Sequence, residues 1–164
     1  MEKNKSKSKH DMHLDEMDFA ILNYLQADGR TSFTVIAEKL NVSIGTIRTR
    51  FNRLLDEKVI NIIGRVDPAK IGFKCYAQIA VFIRPATLKE QIAQTIAAMP
   101  EVSFLAGTSG DYDLIVDVMC RDNDHLEQVI NEISKIEGIF QTKTTIYFKV
   151  YKYAQPELSL LDLY

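Results

Sequence analysis

The sequence contains few of the residues that build metal centres, disulfides and catalytic sites. Its 164 residues include two cysteines, Cys75 and Cys120, in separate apolar stretches, and three scattered histidines. No apolar run approaches the roughly 20 residues that a membrane-spanning helix needs. Motifs typical of serine hydrolases, P-loop proteins and zinc peptidases are missing. We therefore expect a cytoplasmic protein with reduced cysteines and no metal, cofactor, membrane partner or catalytic activity.

The net charge is small but unevenly distributed along the chain. The formal charge is −2 overall, yet residues 1–66 hold 11 basic against 9 acidic residues, whereas residues 67–164 hold 9 against 13. A small net charge argues against a general polyanion binder, while the basic half remains suited to nucleic acid. With 46% hydrophobic residues, the chain can bury a core.

Residues 31–63 carry the pattern of two short amphipathic helices joined by a tight turn. Ser43 follows a break at residues 41–42 and is well placed to cap the second helix. Apolar residues recur at helical spacing in both helices: Phe33, Ile36, Ala37 and Leu40 in the first, and Ile47, Phe51, Leu54 and Leu55 in the second. The pattern predicts a helix-turn-helix.

The outer side of the second helix is polar and basic. Because no acidic residue lies between Ser43 and Leu55, we expect its three arginines to be unpaired. Such a face suits the major groove of double-stranded DNA. The candidate DNA-binding residues are Ser43, Gly45, Thr46, Arg48, Thr49, Arg50 and Arg53. An ordinary helical hairpin with a solvated basic face is the alternative.

Flanking segments complete the predicted DNA-binding domain, residues 14–66. A preceding helix is capped by Asp15, with Asp18 three residues on. The alternating segment VINIIGRV, residues 59–66, resembles the wing or exit strand of a winged helix. Residues 1–13 are predicted to be a flexible basic tail.

The second half of the chain alternates between strand and helix patterns. Strands are predicted at 75–83, 102–106, 114–120 and 142–153. The first intervening helix should open with a capping box at Thr87 and Glu90; the second should be capped by Asp122 and ended by Gly138. The order βαββαβ predicts an α+β, ferredoxin-like domain over residues 75–154, after a linker at 67–74 and before an extension at 155–164.

Both faces of the predicted sheet look apolar. In residues 75–83, Tyr76, Ala80 and Phe82 alternate with the residues expected to face the helices. An exposed face of that kind would be an apolar patch, so we expect it to pair with a second copy in a homodimer.

Four segments resemble, in order and spacing, the Lrp/AsnC family of transcriptional regulators: LDEMDFAILNYLQADGRTSF, AEKLNVSIGTIRTRFNRLLDEKVI, GTSGDYDLIVDV and TKTTIY. The resemblance implies an N-terminal helix-turn-helix and a C-terminal module that dimerises, assembles further to tetramers or octamers, and binds small amino-acid-like effectors. One departure is Lys58, where the family usually has a glycine that eases a left-handed helix terminus.

The turn at residues 107–113, GTSGDYD, is the candidate effector site. A hairpin whose glycines supply unusual backbone angles and whose acids face water also explains it. An amino acid needs an acid for its ammonium, such as Asp111 or Asp113, and N–H donors for its carboxylate, such as those of Gly107, Thr108 and Gly110. The resemblance places this turn between dimers and adds Gln141, Thr142 and Thr144.

Two other functions fit parts of the pattern. Decarboxylases acting on modified tetrapyrroles resemble the same two-domain fold, but we expect clustered His and Arg in such enzymes, and residues 61–73 contain one Arg and no His. An effector-binding module without DNA binding would be expected to lose the arginines of the second helix, which are present. The sequence therefore favours an effector-modulated DNA-binding regulator.

Overall fold

The computed structural model describes residues 13–153 and 156–161, which divide into two compact units. The first unit contains the chain up to Gly64 together with the described residues that follow position 155. The second unit is Arg65–Tyr153. The predicted flexible tail lies almost entirely outside the described residues.

The described part of the first unit contains three α-helices: α1 (Glu16–Ala27), α2 (Phe33–Leu40) and α3 (Ile44–Asp56). The predicted cap of α1 is confirmed, because Asp15 accepts a hydrogen bond from the Asp18 N–H and the Asp18 carboxylate accepts one from the Asp15 N–H. This reciprocal arrangement satisfies two N–H groups that the helix start would otherwise leave without partners.

The predicted helix-turn-helix is confirmed as α2 and α3. Asn41 ends α2 in the left-handed conformation, which Asn tolerates better than most residues. Ser43 then caps α3 by accepting a hydrogen bond from the Thr46 N–H. The rings of Phe33 and Phe51 meet at 5.0 Å between centroids, packing α2 on α3. The core of the unit consists of Ile21, Leu22, Leu25, Ile36, Ala37, Ile47 and Leu54.

The described C-terminal residues pack on this first unit. The Gln26 side chain donates a hydrogen bond to the Pro156 carbonyl at 2.7 Å. Leu158, in a short 3-10 turn, lies against the core of the unit. The chain therefore returns to its N-terminal unit after completing the second.

The prediction of an exit strand at residues 59–66 is wrong for the single chain. These residues form no strand, and Ile63 and Val66 are exposed. A β-strand requires a neighbour to accept and donate its backbone hydrogen bonds, and no described segment of this chain supplies one. The predicted linker contains one 3-10 turn, Pro68–Ile71.

The second unit has the predicted βαββαβ order. Its elements are β1 (Cys75–Ile83), α4 (Lys89–Ala97), β2 (Val102–Gly107), β3 (Leu114–Cys120), α5 (Asn123–Ser134) and β4 (Ile139–Ile146). The four strands form one sheet in the order β2-β3-β1-β4, and every neighbouring pair is antiparallel. The ferredoxin-like prediction is confirmed.

The core of this unit lies between the sheet and its two helices. Alternate residues of β1 and β3 are buried against the helices, whose inner stripes include Ile92, Ile96, Val129 and Ile133. This is the two-layer arrangement expected when one sheet face is covered by amphipathic helices.

Three local predictions in this unit were wrong. A 3-10 turn, Ala86–Leu88, precedes α4, so Thr87 does not occupy the cap position and no side chain caps the helix. Helix α5 ends at Ser134, before Gly138. Strand β4 covers Ile139–Ile146 rather than 142–153. Its antiparallel neighbour β1 begins at Cys75, so the pairing of the two strands ends with the hydrogen bond from the Tyr147 N–H to the Tyr76 carbonyl.

The sheet face away from the helices is mixed rather than uniformly apolar. Gln78, Asp117 and Tyr147 form a hydrogen-bonded polar group on it. Beside them, Phe104 and Phe140 are each about half exposed. We call this surface the open face; its apolar members include Ala80, Phe82, Phe104, Ala106, Ile115, Met119 and Phe140.

Lys58 retains the left-handed helix end at the position where the resemblance leads us to expect glycine. Its φ is +58°, and the Lys58 and Val59 N–H groups donate to the Leu55 and Leu54 carbonyls, each at 2.9 Å. This is the hydrogen-bond pattern of a Schellman terminus.

Replacing Lys58 by glycine should therefore stabilise the first unit. We expect Lys58→Gly to raise the free energy of unfolding by about 0.5–1 kcal/mol, since it removes the left-handed penalty at some cost in unfolded-chain entropy. Lys58→Ala removes the same side chain without relieving the backbone and should leave stability nearly unchanged. Urea unfolding of the full chain measures both; equal stabilities for the two variants would contradict the assignment.

Candidate DNA-binding surface and effector turn

Helix α3 begins with a network centred on Ser43. The Ser43 hydroxyl accepts from the Thr46 N–H at 3.0 Å and lies 2.8 Å from the Thr46 hydroxyl. Gly45 is exposed, and a Cβ there would meet only the Ser43 hydroxyl, at 3.6 Å. Packing within the chain therefore does not require glycine at position 45. At the start of α3, the Ser43 and Thr46 side chains lie beside a glycine that adds no side-chain bulk.

The seven predicted DNA-binding residues all lie on or beside α3, but they differ in exposure and in whether their side chains are already paired. Arg48 and Thr49 are exposed, and Arg48 makes no ion pair with any residue in the described part of the chain. Thr46 and Arg50 are half-buried. Arg53 is exposed overall, yet its guanidinium forms an ion pair with Asp18.

Two of the three arginines bind acidic residues of α1 and its cap. Arg50 Nη1 lies 2.7 Å from both carboxylate oxygens of Asp15 and 2.9 Å from Asp18 Oδ1. Arg53 Nη2 donates to the other oxygen of Asp18. Asp18 is completely buried. The Arg50 guanidinium, with the Asp18 N–H, holds the pKa of Asp15 at about 2. We call Asp15, Asp18, Arg50 and Arg53 the clamp.

The prediction of three unpaired arginines was therefore wrong for Arg50 and Arg53. Residues 43–55 contain no acid, as the sequence shows, but the fold brings acids from more than 30 residues earlier in the chain. Asp18 was interpreted as a capping residue, which it is, and its second role requires the packing of α1 on α3.

Internal hydrogen bonds hold the turn at residues 107–113. The Thr108 N–H donates to the Asp113 carbonyl at 3.1 Å, and the Thr108 hydroxyl donates to the Tyr112 carbonyl. Asp113 is tied to β1 twice: its N–H donates to the Val81 carbonyl at 2.9 Å, and its carboxylate accepts from the Ile83 N–H at 2.8 Å. Asp113 thus anchors the turn to the sheet.

The glycines of this turn do not have the unusual backbone angles expected of them. The described glycines with positive φ are Gly72 and Gly138 rather than Gly107 or Gly110. A Cβ added at Gly110 would meet no atom within 4 Å. Asp111 is exposed. The turn therefore offers one free carboxylate and open space beside it.

Lys89 is a residue of this region that the sequence did not reveal. A Cβ at Gly107 would lie 3.4 Å from Lys89 Cε and 3.5 Å from Nζ, so the ammonium rests over the glycine backbone. Lys89 is half-buried and pairs with no acid among residues 13–153 and 156–161. Only the packing of α4 beside β2 brings Lys89, at the start of α4, to the turn.

The three predicted effector residues of β4 do not join the turn within one chain. Strand β1 lies between β4 and the strands that the turn connects. Gln141 pairs with Phe82 and shares the open face, whereas Thr142 and Thr144 pair with Val81 and Ile79 on the helix side. The Thr142 hydroxyl lies 3.3 Å from that of Ser134.

The two cysteines occupy directly opposed positions on β1 and β3, and both are buried, free thiols. Burial raises the pKa of both, that of Cys120 to about 11, so the reactive thiolate is disfavoured. Among the described residues, no cluster of His, Cys, Asp and Glu is suited to a metal ion, and no helix is long and apolar enough to span a membrane.

Comparisons with known proteins match both units. Residues 14–61 match the winged helix-turn-helix DNA-binding family, and residues 76–157 match the Lrp/AsnC ligand binding domain. An uncharacterized HTH-type transcriptional regulator of Pyrococcus abyssi is 38% identical over 144 residues, covering 87% of this chain and 90% of its own.

Solved structures share the fold. AsnC of E. coli superposes with a TM-score of 0.82 at 26% identity, covering 88% of this chain and 99% of its own. The transcriptional regulator NMB0573 of Neisseria meningitidis, solved as a complex with L-Met, gives 0.79 at 23% identity, covering 91% and 100%.

The fold and the matches define a transcriptional regulator with a winged helix-turn-helix DNA-binding domain and a separate ligand-binding domain. The chain belongs to the Lrp/AsnC family. The relatives are named as regulators, in agreement with the regulatory function predicted from the sequence.

Proposed function

We propose that the exposed face of α3 enters the major groove of double-stranded DNA at promoter or operator sites. The observation that carries this proposal is the polar surface at the start of α3, built by Ser43, Gly45 and Thr46 and continued by exposed Arg48 and Thr49. The N-terminal half of a recognition helix is the part that usually contacts base edges.

The role proposed for each residue follows from its exposure, its ion pairs and its position on α3. The capped start of α3 approaches a phosphate through Ser43, Gly45 and Thr46. Thr49 faces the base edges, and Arg48, flanking that face, contacts a backbone phosphate. Arg50 and Arg53, also candidate DNA-binding residues, lie on the side of α3 that meets α1, where both pair with Asp18.

Arg48→Ala tests the DNA-binding surface. We expect it to reduce affinity for a mixed-sequence duplex and to flatten the dependence of log K on log salt by about one unit, because one fewer counterion is released. Arg121→Ala, which removes an exposed arginine of the second unit, is the matched control. Fluorescence anisotropy across a salt series measures both.

Equal slopes for Arg48→Ala and the control would show that Arg48 makes no phosphate contact. Absence of duplex binding by the parent chain at about 50 mM salt, where charge-driven affinity is high, would contradict the DNA-binding proposal itself.

We also propose that two copies pair through the open face and that such dimers assemble further into tetramers or octamers. Support comes from the half-exposed Phe104 and Phe140 beside Phe82 on that face. Exposed aromatic side chains on one sheet face favour association. A homodimer also suits the paired half-sites that helix-turn-helix proteins read.

We propose, third, that an amino acid or a related metabolite binds at the turn 107–113 and modulates assembly or DNA affinity. The L-Met complex of the Neisseria relative supports this ligand class. Asp111 binds the ammonium, because Asp113 already serves the Ile83 N–H. Lys89 binds the carboxylate alongside N–H groups of Gly107, Thr108 and Gly110. In an assembly, a neighbouring copy supplies Gln141, Thr142 and Thr144.

A thermal-shift screen of the twenty amino acids tests this site. A ligand at 100 times its dissociation constant stabilises the folded chain by about 2.7 kcal/mol. We expect Lys89→Met to abolish the shift, whereas Lys70→Met, which removes a largely exposed lysine of the same unit, should retain it.

A second measurement tests the contact between Lys89 and the ligand carboxylate. It uses the derivative of the identified amino acid in which a neutral amide replaces the carboxylate. If Lys89 binds the carboxylate, that amide should bind the parent chain as weakly as the free acid binds Lys89→Met. An unchanged shift in Lys89→Met would exclude Lys89 as the ligand contact, and a screen without any shift would contradict an amino-acid effector.

A further inference from the structure

The clamp joins two carboxylates and two guanidiniums at the edge of the proposed DNA-binding surface. Its formal charges cancel, since Asp15 and Asp18 balance Arg50 and Arg53. Of the three arginines of α3, only Arg48 then adds uncompensated positive charge. The charge that α3 presents to DNA is therefore much smaller than its sequence indicates.

Burial makes this pairing persistent. The Asp18 side chain has no exposed surface, while the side chain of Arg50 is 27% exposed and that of Arg53 44% exposed. If both arginines turned towards DNA, a buried carboxylate would lose its cationic partners, which is strongly unfavourable. The Asp18 position is fixed independently, because its carboxylate also accepts the Asp15 N–H at the start of α1.

We propose that Asp15 and Asp18 are specificity-determining residues of the DNA-binding unit. They orient α3 through Arg50 and Arg53, and they cancel the charge that would otherwise bind any DNA sequence. Contacts at Ser43, Gly45, Thr46 and Thr49 then contribute a larger share of the binding. This inference rests on the proposed binding of DNA by α3.

The physical basis is that non-specific binding depends on the phosphates that a protein neutralises. Each such contact releases counterions and steepens the salt dependence of log K by about 0.9. Removing one carboxylate leaves the clamp with a net charge of +1, even while Arg50 stays paired with Asp18, and should consequently increase affinity for every sequence alike. Loss of a merely structural ion pair would lower affinity or leave the salt dependence unchanged.

Asp15→Asn is the decisive variant, because asparagine caps helices as well as aspartate does and the Asp15 side chain is half exposed. Asp28→Asn is the matched control: it changes the net charge equally, but Asp28 pairs with Arg30, outside α3. Asp18→Asn provides a second test where circular dichroism shows the native helix content.

The measurement is fluorescence anisotropy of the full chain with a 30-base-pair duplex of random sequence, across a salt series. For Asp15→Asn we expect a salt slope about one unit steeper than that of the parent and, at about 50 mM salt, affinity higher on the order of tenfold. Asp28→Asn should stay close to the parent in both quantities.

Equal slopes and affinities for Asp15→Asn and Asp28→Asn would overturn the inference, as would weaker duplex binding by Asp15→Asn at an unchanged slope. If the parent chain did not bind the duplex at all, the proposed DNA-binding function would fail first. The two failures are therefore distinguishable.

Discussion

The carboxylate of Asp18 is the one charged side chain that is buried within residues 13–153 and 156–161, and the geometry of the DNA-binding unit depends on it. It caps α1 and holds two arginines of α3, so the start of one helix and the face of another are fixed by the same group. A buried charge is tolerated only when it is paired and hydrogen-bonded. Removing a partner from such a group typically costs about 3–5 kcal/mol, so the packing of α1 on α3 is sensitive to the loss of any one member of the clamp.

Within the second unit, the equivalent constraint is the anchoring of the turn 107–113 to β1. Asp113 uses its N–H and its carboxylate to bind the Val81 carbonyl and the Ile83 N–H. The turn is therefore held by the sheet, and its remaining groups, Asp111 and the Gly110 backbone, are presented outward. Preorganised loops of this kind bind small ligands without an added ordering cost. Both units thus use one carboxylate to fix the backbone beside exposed polar groups.

The parts of the structure that are set by local sequence could be predicted. Helical spacing and capping residues located α1, α2 and α3, and Ser43 and Asp122 cap their helices as expected. Alternating and continuous apolar runs located β1 and β3. These features depend on residues within about four positions of each other, which a single sequence displays directly.

Contacts between distant segments were not predictable in the same way. The pairing of Asp18 with Arg50 and Arg53, and the approach of Lys89 to Gly107, depend on how helices pack. The predicted strand at 142–153 was too long because alternation continues past Ile146 although β1 does not. Unusual backbone angles were predicted for the glycines of the turn 107–113, whereas the described glycines with positive φ are Gly72 and Gly138.

Protection of Thr49 by DNA tests the central claim, that the exposed face of α3 is the DNA-binding surface. The native cysteines are buried, so alkylation of Thr49→Cys reports on that position alone, and Gln128→Cys on the exposed side of α5 is the control. With a duplex that anisotropy shows to be fully bound, alkylation of Thr49→Cys should slow by about tenfold or more, because direct contact excludes the reagent. The rate at Gln128→Cys should not change. Equal alkylation rates at Thr49→Cys with and without bound DNA would contradict the account.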